Sequence, residues 1–69
     1  MMERASILVG KCYRNSSGVT YEVTSYDGLQ VHFVVRAGAD GPSPAGRRGA
    51  EPWDVFLHEV QGEVPCPQT

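Results

Sequence analysis

A chain of 69 residues with a formal charge of −2 has room for one domain and one small core, and such a core supplies only ~3–5 kcal/mol of net stability unless a cross-link or a partner adds to it. The 41% hydrophobic content excludes a disordered chain, and the charge lacks the basic stripe that nucleic-acid binders present. The apolar run at residues 7–9 is too short for a membrane span or a signal-peptide core, so the expected location is cytoplasmic.

In chain order, residues 7–9 and 11–14 have the composition of two short strands, with Gly10 as a kink between them. Asn15, Ser16, Ser17 and Gly18 form a turn, because each favours local side-chain hydrogen bonding or a positive φ. Residues 19–36 carry the clearest signal. Val19, Tyr21 and Val23 alternate with Thr20, Glu22 and Thr24; Leu29, Val31, Phe33 and Val35 alternate with Gln30, His32, Val34 and Arg36. Both segments have the period of two of a half-buried strand. A two-residue Asp27-Gly28 turn would oppose Val23 to His32 and set apolar against polar side chains throughout. A three-residue loop of Tyr26, Asp27 and Gly28 removes that conflict, with Gly28 in the left-handed position. The expected pairs are then Val23 with Val31, Tyr21 with Phe33 and Val19 with Val35 on the core face. Thr24 with Gln30 and Glu22 with His32 follow on the outer face.

Residues 37–50 hold Gly38, Gly41, Pro42, Pro44, Gly46 and Gly49 but no large apolar side chain. They are expected to form a long flexible loop inside a single domain spanning residues 1–69. Pro52 suits the first turn of a helix. Trp53, Phe56, Leu57 and Val60 fall at helical spacing, while Val55 and Leu57 also fit a strand. The expectation is a helical turn over 52–56 feeding a strand over 57–60, then an irregular tail from Gln61. The fold class expected is mainly β: four to five short strands in a small barrel or a strongly bent antiparallel sheet. Closing the sheet also removes exposed edges.

Gly10-x-x-Tyr13, Gly18-x-x-Tyr21-x-Val23, Val31-x-Phe33 and the run from Pro52 through Phe56-Leu57-x-x-Val60 together resemble small bacterial and phage domains of unknown function with an SH3-like barrel. The resemblance covers roughly residues 9–60 and departs from the pattern in the long glycine-rich segment 37–50. It implies a fold and carries over no catalytic residue. Small barrels of this kind bind peptides, partner proteins or nucleic acids.

Cys12, His32, His58 and Cys66 are the metal-ligating and nucleophilic residue types, but they lack the paired spacing of a structural zinc site. A catalytic thiol would also need a base and an orienting group in reach. No catalytic residue, cofactor or metal is therefore expected. In a reducing compartment Cys12 and Cys66 are expected as free thiols, Cys12 packing as a small hydrophobe. No glycine-rich phosphate loop occurs. His32 beside Glu22 reads as a cross-strand polar pair. Arg47-Arg48 is the one adjacent basic pair, suited to a carboxylate or a phosphate. Arg14 and Arg36 could join it, while Asp27, Asp40, Glu51 and Asp54 on the same elements would repel a phosphate backbone. Trp53 lies at packing spacing from Phe56 and Leu57, which assigns it to the core or to a lid on the barrel end; partly exposed near Tyr13 or Tyr26 it would be a contact hot spot.

These residues point to a non-catalytic protein-interaction module, as in a small phage or mobile-element accessory protein that binds a host protein. Its expected contact residues are Tyr26, Glu22, His32, Arg47, Arg48 and Trp53. One alternative is a nucleic-acid-binding barrel using the Arg47-Arg48 loop, with Tyr26 and Trp53 stacking on bases. Another is a metal-binding or thiol-dependent protein. A membrane role is not expected. A chain this small gains core by pairing with a second copy, so monomer and homodimer both fit.

Overall fold

The alternating segment at residues 19–36 forms the centre of one antiparallel sheet. The computed structural model describes residues 4–38, 41–42 and 46–67. A 3-10 turn (Arg4–Ser6) precedes strands β1 (Cys12–Asn15), β2 (Thr20–Tyr26), β3 (Gln30–Gly38), β4 (Gly41–Pro42) and β5 (Arg48–Pro52); helix α1 (Trp53–Glu59) and strand β6 (Val60–Val64) follow. β1, β2 and β3 are antiparallel neighbours in sequence order. β4 and β5 both pair with the other edge of β3, and β6 returns to the free edge of β1.

The path from β5 to β6 shows why the sheet must curl. It runs β5, β3, β2, β1, β6, and four steps across a flat sheet are about 19 Å. The two end strands are joined directly by α1, seven residues long, which spans only about 10 Å. The ends meet α1 because the sheet bends around it. β5 and β6 do not pair among the described residues, so the structure is a bent open sheet and not a closed barrel.

The hollow of the bend is the core. Tyr13, Val23, Val31 and Phe56 are almost fully buried there, with Ile7, Phe33, Leu57 and Val60 around them. The rings of Tyr21 and Phe33 meet edge to face at 4.8 Å, and Tyr13 meets Phe56 the same way at 5.7 Å, the arrangement that the ring quadrupole favours. The Tyr13 hydroxyl donates to the Ser6 carbonyl (2.6 Å) and accepts from the Leu8 amide (2.8 Å). These bonds fasten the first turn onto the sheet. Burial chiefly, and then the charge of Glu63, push that phenol's pKa above its ordinary value, against the Leu8 bond that lowers it.

The parity of the main hairpin holds, but its register does not. Tyr21, Val23, Val31, Phe33 and Val35 share the core face as expected. Their pairs are Tyr21 with Val35, Val23 with Phe33 and Tyr26 with Val31. The connection shifts by one residue, to Asp27, Gly28 and Leu29, because Asp27 caps it. Its Oδ1 accepts from the amides of Leu29 and Gln30, both at 2.8 Å, with Gly28 at φ 94. These two bonds lower the Asp27 pKa. The shift is absorbed by a bulge at Thr24, whose hydroxyl donates to the His32 carbonyl. Leu29, expected inside, is thereby turned out into water, and Val19 falls outside the strands.

Other segments also differ from expectation. Residues 7–9 form no strand. The segment 37–50 is not one continuous loop: residues 37–38 finish β3, 41–42 form β4, and 48–50 begin β5. Residues 39–40 and 43–45, with Asp40 and Pro44, lie outside the described residues. β5 needs no large apolar residue because Gly49 sits opposite Phe33. A Cβ there would lie 2.9 Å from Phe33 Cζ, so the glycine supplies the floor on which the ring rests. The helix runs two turns to Glu59 and takes in residues 57–59, because Phe56 and Leu57 both bury. The expected irregular tail begins with strand β6. Among the described residues no helix is long and apolar enough to cross a membrane.

Candidate functional site

Directly opposed residues in a sheet share a face, so the pairings sort the expected contact residues into two groups. Val64, Cys12, Glu22, Val34 and Arg48 form one row across β6, β1, β2, β3 and β5. Val34 lies on the side away from the core, and the row marks the outer face. His32 lies on that face too, between Ser25 of β2 and Ala50 of β5. Glu22, His32 and Arg48 therefore do share one surface. The expected pairing of Glu22 with His32 is not formed: Glu22 lies opposite Val34 and His32 opposite Ser25. Glu22 pairs instead with Arg36, which also donates to the Pro67 carbonyl at 3.1 Å. The Thr24 bulge and the shifted register separate Glu22 from His32. Arg47 is exposed, and its carbonyl accepts from the Val35 amide at 2.6 Å.

Tyr26 and Trp53 belong to the second group, at the tip end of the β2–β3 hairpin. Both are half-buried and pack against the core. The Trp53 amide donates to the Leu29 carbonyl at 2.9 Å, which joins the start of α1 to the tip. Leu29 itself is 69% exposed. Its amide is held by Asp27 and its carbonyl by Trp53, so a large apolar side chain stands in water on a backbone fixed at both of its polar groups. Sequence reasoning missed Leu29 because its place in the alternation assigned it to the core. The signal available was Asp27, whose side chain competes for the turn amides.

The cysteines are not free thiols. Cys12 and Cys66 form a disulfide, with Cα atoms 5.1 Å apart. The expectation rested on compartment alone. The fold decides otherwise: β6 runs antiparallel along β1 with Val64 opposite Cys12, and two residues later Cys66 crosses over it. Cys12 is fully buried beneath this crossing on the outer row.

A third cluster was not foreseen. Glu51 sits opposite Val31, on the core side of β5. Its Oε2 is buried without a hydrogen-bond partner. Burial first, then the charge of Glu59 and contact with its carboxyl, raise the Glu51 pKa. Burial and the same two carboxylates raise the Tyr21 phenol, whose oxygen accepts from Asn15 Nδ2 at 3.0 Å. An open depression of about 500 Å³ lies beside this group, lined by Asn15, Ser16, Ser17, His58 and Glu59. Among the described residues the Ser17 amide donates to Asn15 Oδ1 at 2.9 Å, on the rim of this depression.

Comparison with known protein families, with curated proteins and with solved structures gives no match for this chain.

Proposed function

We propose that this domain is a non-catalytic protein-interaction module whose contact surface centres on Leu29, with Tyr26 and Trp53 beside it. The carrying observation is Leu29: 69% exposed, on a turn fixed by Asp27 and by the Trp53 amide. Apolar side chains held in this way lose little conformational freedom on binding, which raises affinity. Aromatic neighbours with half-buried rings are the residue types that dominate protein interfaces. The outer face adds His32 and Arg48, both exposed, and the Glu22–Arg36 pair as a polar rim. Arg47 and Arg48 also suit a phosphate backbone, but Asp27 at the tip and the net charge of −2 favour a protein partner.

A photo-crosslinking residue at position 29, set beside one at Glu63 on the far end strand, tests this in cells that make the protein. The expected result is a covalent adduct with one protein species from position 29 and none from position 63. No adduct, or the same adducts from both positions, overturns the proposal. Crosslinks to nucleic acid that vanish with rising salt would replace it with the nucleic-acid alternative.

A further inference from the structure

We propose that Cys12, Cys66 and Glu22 form a redox-gated zinc site: closed while the disulfide stands, and opened by its reduction. This goes beyond the interaction surface at Leu29 and does not depend on it. Cys12 of β1 lies opposite Glu22 on one side and Val64 on the other. The chain then brings Cys66 back over Cys12. One ligand atom from each of the three residues lies within 4.8 Å of the others. Among the described residues this is the one group of three or more histidine, cysteine or acidic side chains so gathered.

The chemistry balances. A dithiol reductant delivers two electrons and two protons; the sulfur–sulfur bond breaks, two thiols form, and the dithiol leaves as its own disulfide. Zinc then displaces both thiol protons and binds the thiolates. Charge favours this outcome. Two thiolates are costly beside a buried strand without a counterion. The two charges of Zn²⁺ offset them, while Arg36 already offsets Glu22. Thiolate pairs select zinc over the harder divalent cations.

Geometry favours it as well. Tetrahedral zinc with sulfur at ~2.3 Å and oxygen at ~2.1 Å sets its ligand atoms ~3.5–4 Å apart. The two sulfurs must separate to reach that spacing, and Cys66, which lies outside the strand ladder, is the one that moves while its neighbour Pro67 stays tied to Arg36. Residues 65–67 follow β6 without strand pairing, while Cys12 is fixed inside the sheet. Cys66 is partly exposed, so the fourth position faces solvent and takes water. Arg36 remains outside the ligands, where its bonds to Glu22 and to the Pro67 carbonyl would orient the carboxylate toward the metal.

The test titrates the protein with Co²⁺ and then Zn²⁺, before and after reduction. The reductant is a phosphine, which takes oxygen from water as it yields two thiols and is removed under anaerobic conditions before metal is added. The reduced chain should take up one cobalt with thiolate-to-metal charge-transfer bands and tetrahedral visible bands, and zinc should abolish both. The oxidised chain should show neither. Glu22→Gln should keep the charge-transfer bands and weaken binding by more than about 10-fold, the least that loss of even a supporting group costs a zinc site, with the fold checked by circular dichroism. Should the reduced apo chain unfold, added zinc should refold it. Equal metal binding before and after reduction, unchanged affinity in Glu22→Gln, or an unfolded reduced chain that zinc does not restore would each overturn the proposal.

Discussion

The tip of the β2–β3 hairpin and the outer face under the C-terminal tail use opposite solutions on one sheet. At the tail, one covalent and two polar links hold the chain against the sheet. The Cys12–Cys66 disulfide, the Glu22–Arg36 pair and the Arg36 bond to the Pro67 carbonyl hold residues 65–67 over β1 and β2. At the tip, the backbone is held just as firmly, by Asp27 and Trp53, yet the Leu29 side chain is left in water. A chain with so small a core gains most by burying each apolar group it has. Leaving Leu29 out while fixing its backbone fits a role in contact with another molecule. The tail serves the fold, and on the proposed reading the tip serves a partner.

The largest effect should come from the tail. Replacing both cysteines, Cys12→Ala with Cys66→Ala, opens a cross-link between residues 54 apart in sequence. Urea unfolding should show a loss of about 2–4 kcal/mol. A loss under about 0.5 kcal/mol would mean that the tail contributes nothing to the fold, and the contrast with the tip would collapse.

A smaller effect separates the two half-buried glutamates. Glu22 has a guanidinium partner, whereas Glu51 lies against the like charge of Glu59. Burial, followed by the Glu59 charge and contact, raises the Glu51 pKa above its ordinary value of 4.5. For a raised carboxyl the folded state favours the protonated form. Its contribution to stability is present below the ordinary value and is lost as pH rises through the raised one. Glu51→Gln should match the wild type near pH 4 and exceed it at pH 7, by less than about 1 kcal/mol, since solvent screens so open a pair. Melting curves across that range check the sign. A variant less stable at pH 7 would place Glu51 in a favourable bond instead.

The faces of the hairpin were legible in the sequence, because a period of two assigns Tyr21, Val23, Val31, Phe33 and Val35 to one side whatever the register. The register itself was not legible. It depended on the Asp27 carboxylate capturing two amides and on the Thr24 bulge absorbing the shift. β5 was hidden because its contribution to the core is the absence of a side chain at Gly49, which makes sense only beneath Phe33. Tyr26, Trp53, His32, Glu22 and Arg48 could be named from residue type, and the fold divides them between two surfaces. Leu29 carried one signal, the Asp27 side chain that competes for the turn amides; the joining of Cys12, Cys66 and Glu22 carried none, because it depends on pairings that spacing along the chain does not encode.

The smallest stability effect carries the most information. Leu29→Asp places a charge where the structure has water, so its unfolding free energy should stay within about 0.5 kcal/mol of the wild type. Measured on the same variant, retention of the protein captured from position 29 should be lost. A destabilisation beyond about 1 kcal/mol would show that Leu29 supports the fold, and undiminished retention would show that the partner docks elsewhere; either result contradicts the assignment of the tip to binding.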